Sequence, residues 1–152
     1  MTIRMTSYGT LLRTALIAGA AAAALAGCGM MRGSSTASFS GAMSGSAEVP
    51  PNMTRATGMA EAWLDKGNNM LKWKITYKDL SGPATAAHFH GPAAAGANAG
   101  VVVPFSNPAS PIEGSATLTA AQAADLMAGR WYANIHTAAN PGGEIRGQML
   151  PK

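Results

Sequence analysis

From Phe39 onward the chain alternates apolar and polar residues in short runs broken by Gly, Pro and Asn, a pattern of strands rather than helices. Strands are predicted at Phe39–Met43, in the second half of Thr54–Leu64, and at Met70–Tyr77, Ala84–His90, Val101–Phe105, Glu113–Leu118, Trp131–His136 and Glu144–Leu150. Within Thr54–Leu64, Met59, Glu61 and Trp63 alternate with Ala60, Ala62 and Leu64. The turn Asp65-Lys66-Gly67-Asn68-Asn69 joins this run to the next as a hairpin. Pro50-Pro51 ends any pairing by Ser46–Val49, because proline has no N–H to donate. Val101-Val102-Val103-Pro104-Phe105 is apolar throughout, which predicts a strand covered on both faces. A single helix is predicted between Thr119 and Gly129. Thr119 is its N-cap, Gln122 completes a capping box, Ala123, Leu126 and Met127 form its apolar face, and Gly129 stops it. No internal repeat interrupts the pattern. It predicts one all-β domain, a β-sandwich with one short helix.

The three histidines all fall on the polar sides of these strands. In Ala87-His88-Phe89-His90-Gly91-Pro92, His88 and His90 are two apart and share a face while Phe89 turns to the core. In Tyr132-Ala133-Asn134-Ile135-His136, Tyr132, Asn134 and His136 share the other polar face. Neutral imidazole is a common ligand for Cu and Zn. Two imidazoles from one strand and a third from a neighbour make a facial set with an open fourth position for water. A structural reading competes. In it the imidazoles bond loop carbonyls, and Glu144 and Arg146 pair with each other or bond His136 and Asn134. Such a network pins loops without doing chemistry, because its buried polar groups must be satisfied as a set. A polar-ligand site built on Arg146 and Asn134 is the third reading.

The first 27 residues have the form of an export signal. Arg4 and Arg13 give a positive start, and Thr14–Leu25 is an alanine-rich apolar run too short to span a bilayer. The run ends in Leu25-Ala26-Gly27-Cys28, which holds the sole cysteine and so excludes an intramolecular disulfide. This segment resembles a bacterial lipoprotein signal, in which the cysteine is lipidated and becomes the mature N-terminus. The resemblance implies a membrane partner through lipidated Cys28, whose acyl chains anchor by burying methylenes. Gly29 rather than Asp after the cysteine implies sorting to the outer membrane of a bacterial envelope. Residues 28–38 (Gly, Ser and Thr-rich, without periodicity) read as a flexible tether, and residues 39–152 as the domain.

Charge changes the picture once the leader is removed. The whole chain has 11 Lys and Arg against 7 acids, a net charge of +4. Arg4 and Arg13 lie in the leader, so the mature chain keeps 9 against 7, a net +2. Only Lys72, Lys74 and Lys78 lie close together, and their alternation with Ile75 and Tyr77 is that of a strand with one wet face. A nucleic-acid partner is therefore not expected. Of ten methionines, Met1 and Met5 belong to the leader; the remainder show no ligand-like cluster beyond Met30-Met31 and read as core filling. Trp63, Trp73 and Trp131 read as core or sheet-face residues. No serine lies in a G-x-S-x-G elbow and no phosphate loop is present.

Four stretches resemble the CHRD (chordin-type) domain family: FSGAMSGSAEVPP (Phe39–Pro51), GMAEAWLD (Gly58–Asp65), AAHFHGPAAAG (Ala86–Gly96) and GSATLTAAQAADLMAGRWYANIHTAANPGGEIRGQM (Gly114–Met149). The resemblance implies an immunoglobulin-like or superoxide-dismutase-like antiparallel β-sandwich with no established catalytic activity. The His88-x-His90 pair is similar in kind to the copper-binding strand of copper–zinc superoxide dismutases, yet the chain lacks the further histidines and the aspartate that such an enzyme needs. The leading expectation is a non-catalytic envelope lipoprotein, a binding or structural module whose His88, His90 and His136 either knit the loops or hold one Cu or Zn ion, with a supporting polar network of Asn134, Glu144 and Arg146. The alternatives are a metal-dependent or acid–base enzyme, and an interaction module presenting loops 91–100 and 137–143 to an envelope protein partner.

Overall fold

The computed structural model describes residues 35–152. The expected signal segment, Cys28 and most of the expected tether lie outside the described residues. Eight strands follow in order: β1 (Thr36–Ser44), β2 (Thr57–Asp65), β3 (Met70–Lys78), β4 (Ala84–His90), β5 (Val101–Pro104), β6 (Ile112–Thr117), β7 (Trp131–Thr137) and β8 (Ile145–Pro151). A short 3-10 turn, Gly45–Ala47, follows β1, and helix α1 (Ala120–Met127) lies between β6 and β7. All pairings are antiparallel, in the order β5-β4-β7-β8-β1-β2-β3-β6. The fold is all-β with one short helix, as the alternation predicts.

The sheet curls back on itself. β3 and β4 are separated by four strands in the pairing order, yet Trp73 of β3 meets Phe89 of β4 edge-on, with ring centroids 5.6 Å apart. Phe105 stacks on Trp73 at 5.1 Å and Trp131 lies 5.9 Å from Phe89. The inward residues are those of the period-2 pattern: Phe39 and Met43, Ala60, Ala62 and Leu64, Leu71 and Ile75, Ala87, Ala133 and Ile135, and Ile145 and Met149, all buried. The result is a nearly closed antiparallel sandwich.

Helix α1 has the signals read from its sequence. Thr119 Oγ1 accepts from the Gln122 N–H and the Gln122 side chain accepts from the Thr119 N–H. At the other end Arg130 N–H bonds Asp125 O and Gly129 N–H bonds Leu126 O, with Gly129 at φ +69°. That is a Schellman stop, for which glycine carries no Cβ penalty.

Some expectations change. β1 begins at Thr36, so the last residues of the expected tether are paired, Thr36, Ala37 and Ser38 against Asp65, Leu64 and Trp63. β5 is covered on one face only. It pairs with β4 alone, at the end of the sheet, with Val103 buried and Val101 49% exposed. Met127 is exposed, because the helix buries Ala123 and Leu126 and the next residue lies about 100° further round. Among the methionines Met43 and Met149 fill the core, whereas Met53, Met59 and Met127 stand in solvent.

Candidate functional site

The outer face of β4, β7 and β8 is polar, and loops cover it. The polar residues that face outward are His88 and His90 on β4, Tyr132, Asn134 and His136 on β7, and Arg146 and Gln148 on β8. Pairing of β4 with β7 sets His88 opposite Asn134, His90 opposite Tyr132 and Ala86 opposite His136. Pairing of β7 with β8 sets Asn134 opposite Arg146. Residues 46 and 48 positions apart in sequence thus become neighbours on one face.

The three imidazoles converge. Ring centroids are 5.4 Å apart for His88 and His90, 5.1 Å for His88 and His136, and 6.4 Å for His90 and His136. One ring nitrogen from each lies within 4.8 Å of one from each of the others. Two rings are anchored from behind. Nδ1 of His90 lies 3.0 Å from the Ala99 carbonyl oxygen, and Nδ1 of His136 lies 2.9 Å from that of Pro141. A carbonyl can only accept, so these nitrogens carry the hydrogen and Nε2 presents a lone pair. His90 Nε2, His136 Nε2 and His88 Nδ1 are buried without a protein partner. Burial pushes the pKa of His88 below 6.5, helped by the neighbouring His136 and His90. Burial likewise lowers that of His90, against the opposing effects of the Ala99 carbonyl and the Asn134 side chain and with the help of His136 and Arg146. Both are neutral at pH 7, the form that binds metal.

The expected supporting residues are brought to this region but not into the expected pairs. Glu144 and Arg146 do not pair, and neither bonds His136. Glu144 precedes β8 and is wholly buried. It accepts from Thr54 Oγ1 (2.7 Å), Ser81 N–H (2.8 Å), Ser81 Oγ (2.6 Å) and Thr137 Oγ1 (2.6 Å). Burial alone would raise its pKa, but the hydrogen bonds of Ser81, Thr137 and Thr54 outweigh it and hold the carboxyl at about 2. Arg146 turns to the other side. Its guanidinium lies 3.4 Å from the centre of the Tyr132 ring and donates to Ala97 O (2.6 Å) and Asn98 Oδ1 (3.0 Å). Tyr132 also stacks on His90, ring centroids 4.8 Å apart and planes parallel to within 1°. Asn134 donates through Nδ2 to Glu48 Oε1 at 2.9 Å. Burial raises the Glu48 pKa, against the lowering effects of Asn134, Arg146 and the Val49 N–H.

Four participants escaped the sequence reading. Tyr132 had a signal, since it shares the polar face of Asn134 and His136. Glu48 had none, because it sits in an irregular segment after the 3-10 turn, without periodicity to aim it. Thr54 and Ser81 lie in connections and meet Glu144 only through the fold. Away from the histidines, a cleft of about 460 Å³ runs along the edge strands, lined among others by Trp73, Val103, Phe105, Gly114 and Gln122.

The fold and this face define a small all-β domain whose outer sheet surface carries a convergent histidine cluster beneath strapped loops. The family model of the CHRD domain matches residues 39–149, and the chain belongs to that family. No curated protein and no solved structure matches it.

Proposed function

We propose that this chain is an envelope lipoprotein, anchored through Cys28, whose CHRD domain binds one divalent transition-metal ion, Cu(II) or Zn(II), through His88, His90 and His136. The observation that carries the reading is the convergence of one ring nitrogen from each histidine within 4.8 Å, while Nε2 of His90 and of His136 are buried without a protein partner. Ligation and carbonyl bonding looked like alternatives in the sequence. They are compatible, because an imidazole has two nitrogens, and a carbonyl on one fixes the tautomer that offers the other. Three histidines leave a fourth position for water. The module is read as non-catalytic because the sequence holds no nucleophile elbow and its only thiol, Cys28, is the one read above as the lipidation site.

The test is a calorimetric titration of the full chain with Cu(II) and with Zn(II), in a Cys28→Ser background so that the thiol does not compete. One ion per chain is expected, with binding lost in His88→Ala/His90→Ala. If the parent chain takes up no ion and the double variant melts several degrees lower, the histidines are scaffold. Anchoring is tested separately in bacterial cells. Incorporation of a labelled fatty acid is expected in the wild type and absent in Cys28→Ser.

A further inference from the structure

We infer that Asn134 is the fourth polar group of the metal site, its amide oxygen aimed by Glu48 at the open coordination position to accept a hydrogen bond from water bound there. The inference rests on the metal-binding reading above. Asn134 stands on the outer face of β7 between Tyr132 and His136, directly across the ladder from His88. It is buried, and its Nδ2 donates to Glu48 Oε1. That bond decides the orientation of the amide, since a carboxylate oxygen attracts the NH2 end and repels the oxygen. Oδ1 therefore faces away from Glu48. It is buried, makes no full hydrogen bond within the protein, and faces the ring of His90, whose pKa it acts to raise; neutral His90 has no hydrogen on Nε2 to give it.

His90 Nε2 and His136 Nε2 are lone-pair acceptors by the bonds their Nδ1 atoms make, and Asn134 Oδ1 is an acceptor by nature. Buried polar atoms are normally satisfied, so acceptors gathered on one face call for something positive and protic between them. A metal ion with its water is both: the ring nitrogens take the ion, and the water donates to the amide. Gly143 closes the arrangement from the opposite side. Its φ is +131°, and a Cβ there would collide with Asn134 Nδ2 and with Glu48 Oε1, so only glycine leaves the Glu48–Asn134 pair its place.

A polarity swap tests the inference. In Glu48→Gln/Asn134→Asp the hydrogen bond survives reversed, with the position-48 amide donating to the position-134 carboxylate. Shape and net charge are kept, but the negative charge moves from the far end of the pair to the face of the imidazoles. Zn(II) affinity of the full chain in the Cys28→Ser background is measured against a chromophoric chelator, with apo melting temperature as the check on folding. The swap is expected to bind at least about tenfold tighter and Asn134→Ala about tenfold weaker. Should the swap fail to fold, Asn134→Ala decides alone. A parent chain that binds one ion, with affinity unchanged in the folded variants, overturns the role of Asn134 and leaves the three-histidine site standing. A parent chain that binds none overturns both.

Discussion

Glu144 and Glu48 are two buried carboxyls with opposite responses to pH. Glu144 accepts four hydrogen bonds and titrates at about 2, below its ordinary value of 4.5. Its contribution to stability is complete above pH 4.5 and is lost as pH falls toward 2, because the unfolded chain then takes up the proton first. Glu144→Gln is expected to remove this acid transition and to cost about 3 kcal/mol at pH 7 by denaturant titration, since the amide places an NH2 against donors. Glu48 has a raised pKa, so its burial penalises folding as pH rises above 4.5. Glu48→Gln keeps an acceptor for Asn134, and its stability relative to wild type should increase with pH from 4.5 upward. His88 and His90 have lowered values, so NMR titration should place their midpoints below 6.5, and stability should rise with pH between those midpoints and 6.5. At this scale the histidines, Asn134 and Arg146 were legible as polar residues on strands, while Glu144, expected to open the last strand, sits one residue before it. Their partners were not, because a hydrogen bond needs a second residue whose position no local pattern states.

The segment from Gly91 to Gly100 is held down as one strap. Arg146 grips Ala97 and Asn98, Tyr132 exchanges hydrogen bonds with Ala99, Gln148 donates to Ala93 O, and Ala99 O in turn orients His90. Arg146→Lys loses the planar fork and the stacking on Tyr132. Hydrogen exchange should accelerate at residues 97–99, and the metal affinity proposed above should fall with it because His90 loses its anchor. The short helix rests on its ends: Thr119→Ala should cost about 1 kcal/mol in chemical denaturation. Helix and strands were readable because caps and alternation are written within a few residues of one another. β5 was misjudged because an apolar run does not say whether anything covers each face; here Val103, across from Phe89, is buried, and Val101, across from His90, is exposed.

In the molecule as a whole, curling of the sheet brings Trp73, Phe89, Phe105 and Trp131 into one aromatic centre. Phe89 is fully buried between the histidines of its own strand, so its inner side fills the core while its neighbours build the site. Phe89→Ala should cost about 3–5 kcal/mol in denaturant unfolding. By itself the sequence determined the strands, the helix with its caps, the side of every strand but β5 that meets the core, and the CHRD family, since each of these is local or carried by a motif. Only the tertiary structure decided that β4 lies beside β7 and β7 beside β8, at the register that stands His88 across from Asn134 and next to His136. Period-2 alternation says which face a residue takes but not which strand it lies beside; pairing across more than forty residues is settled by how the whole sheet closes over its core.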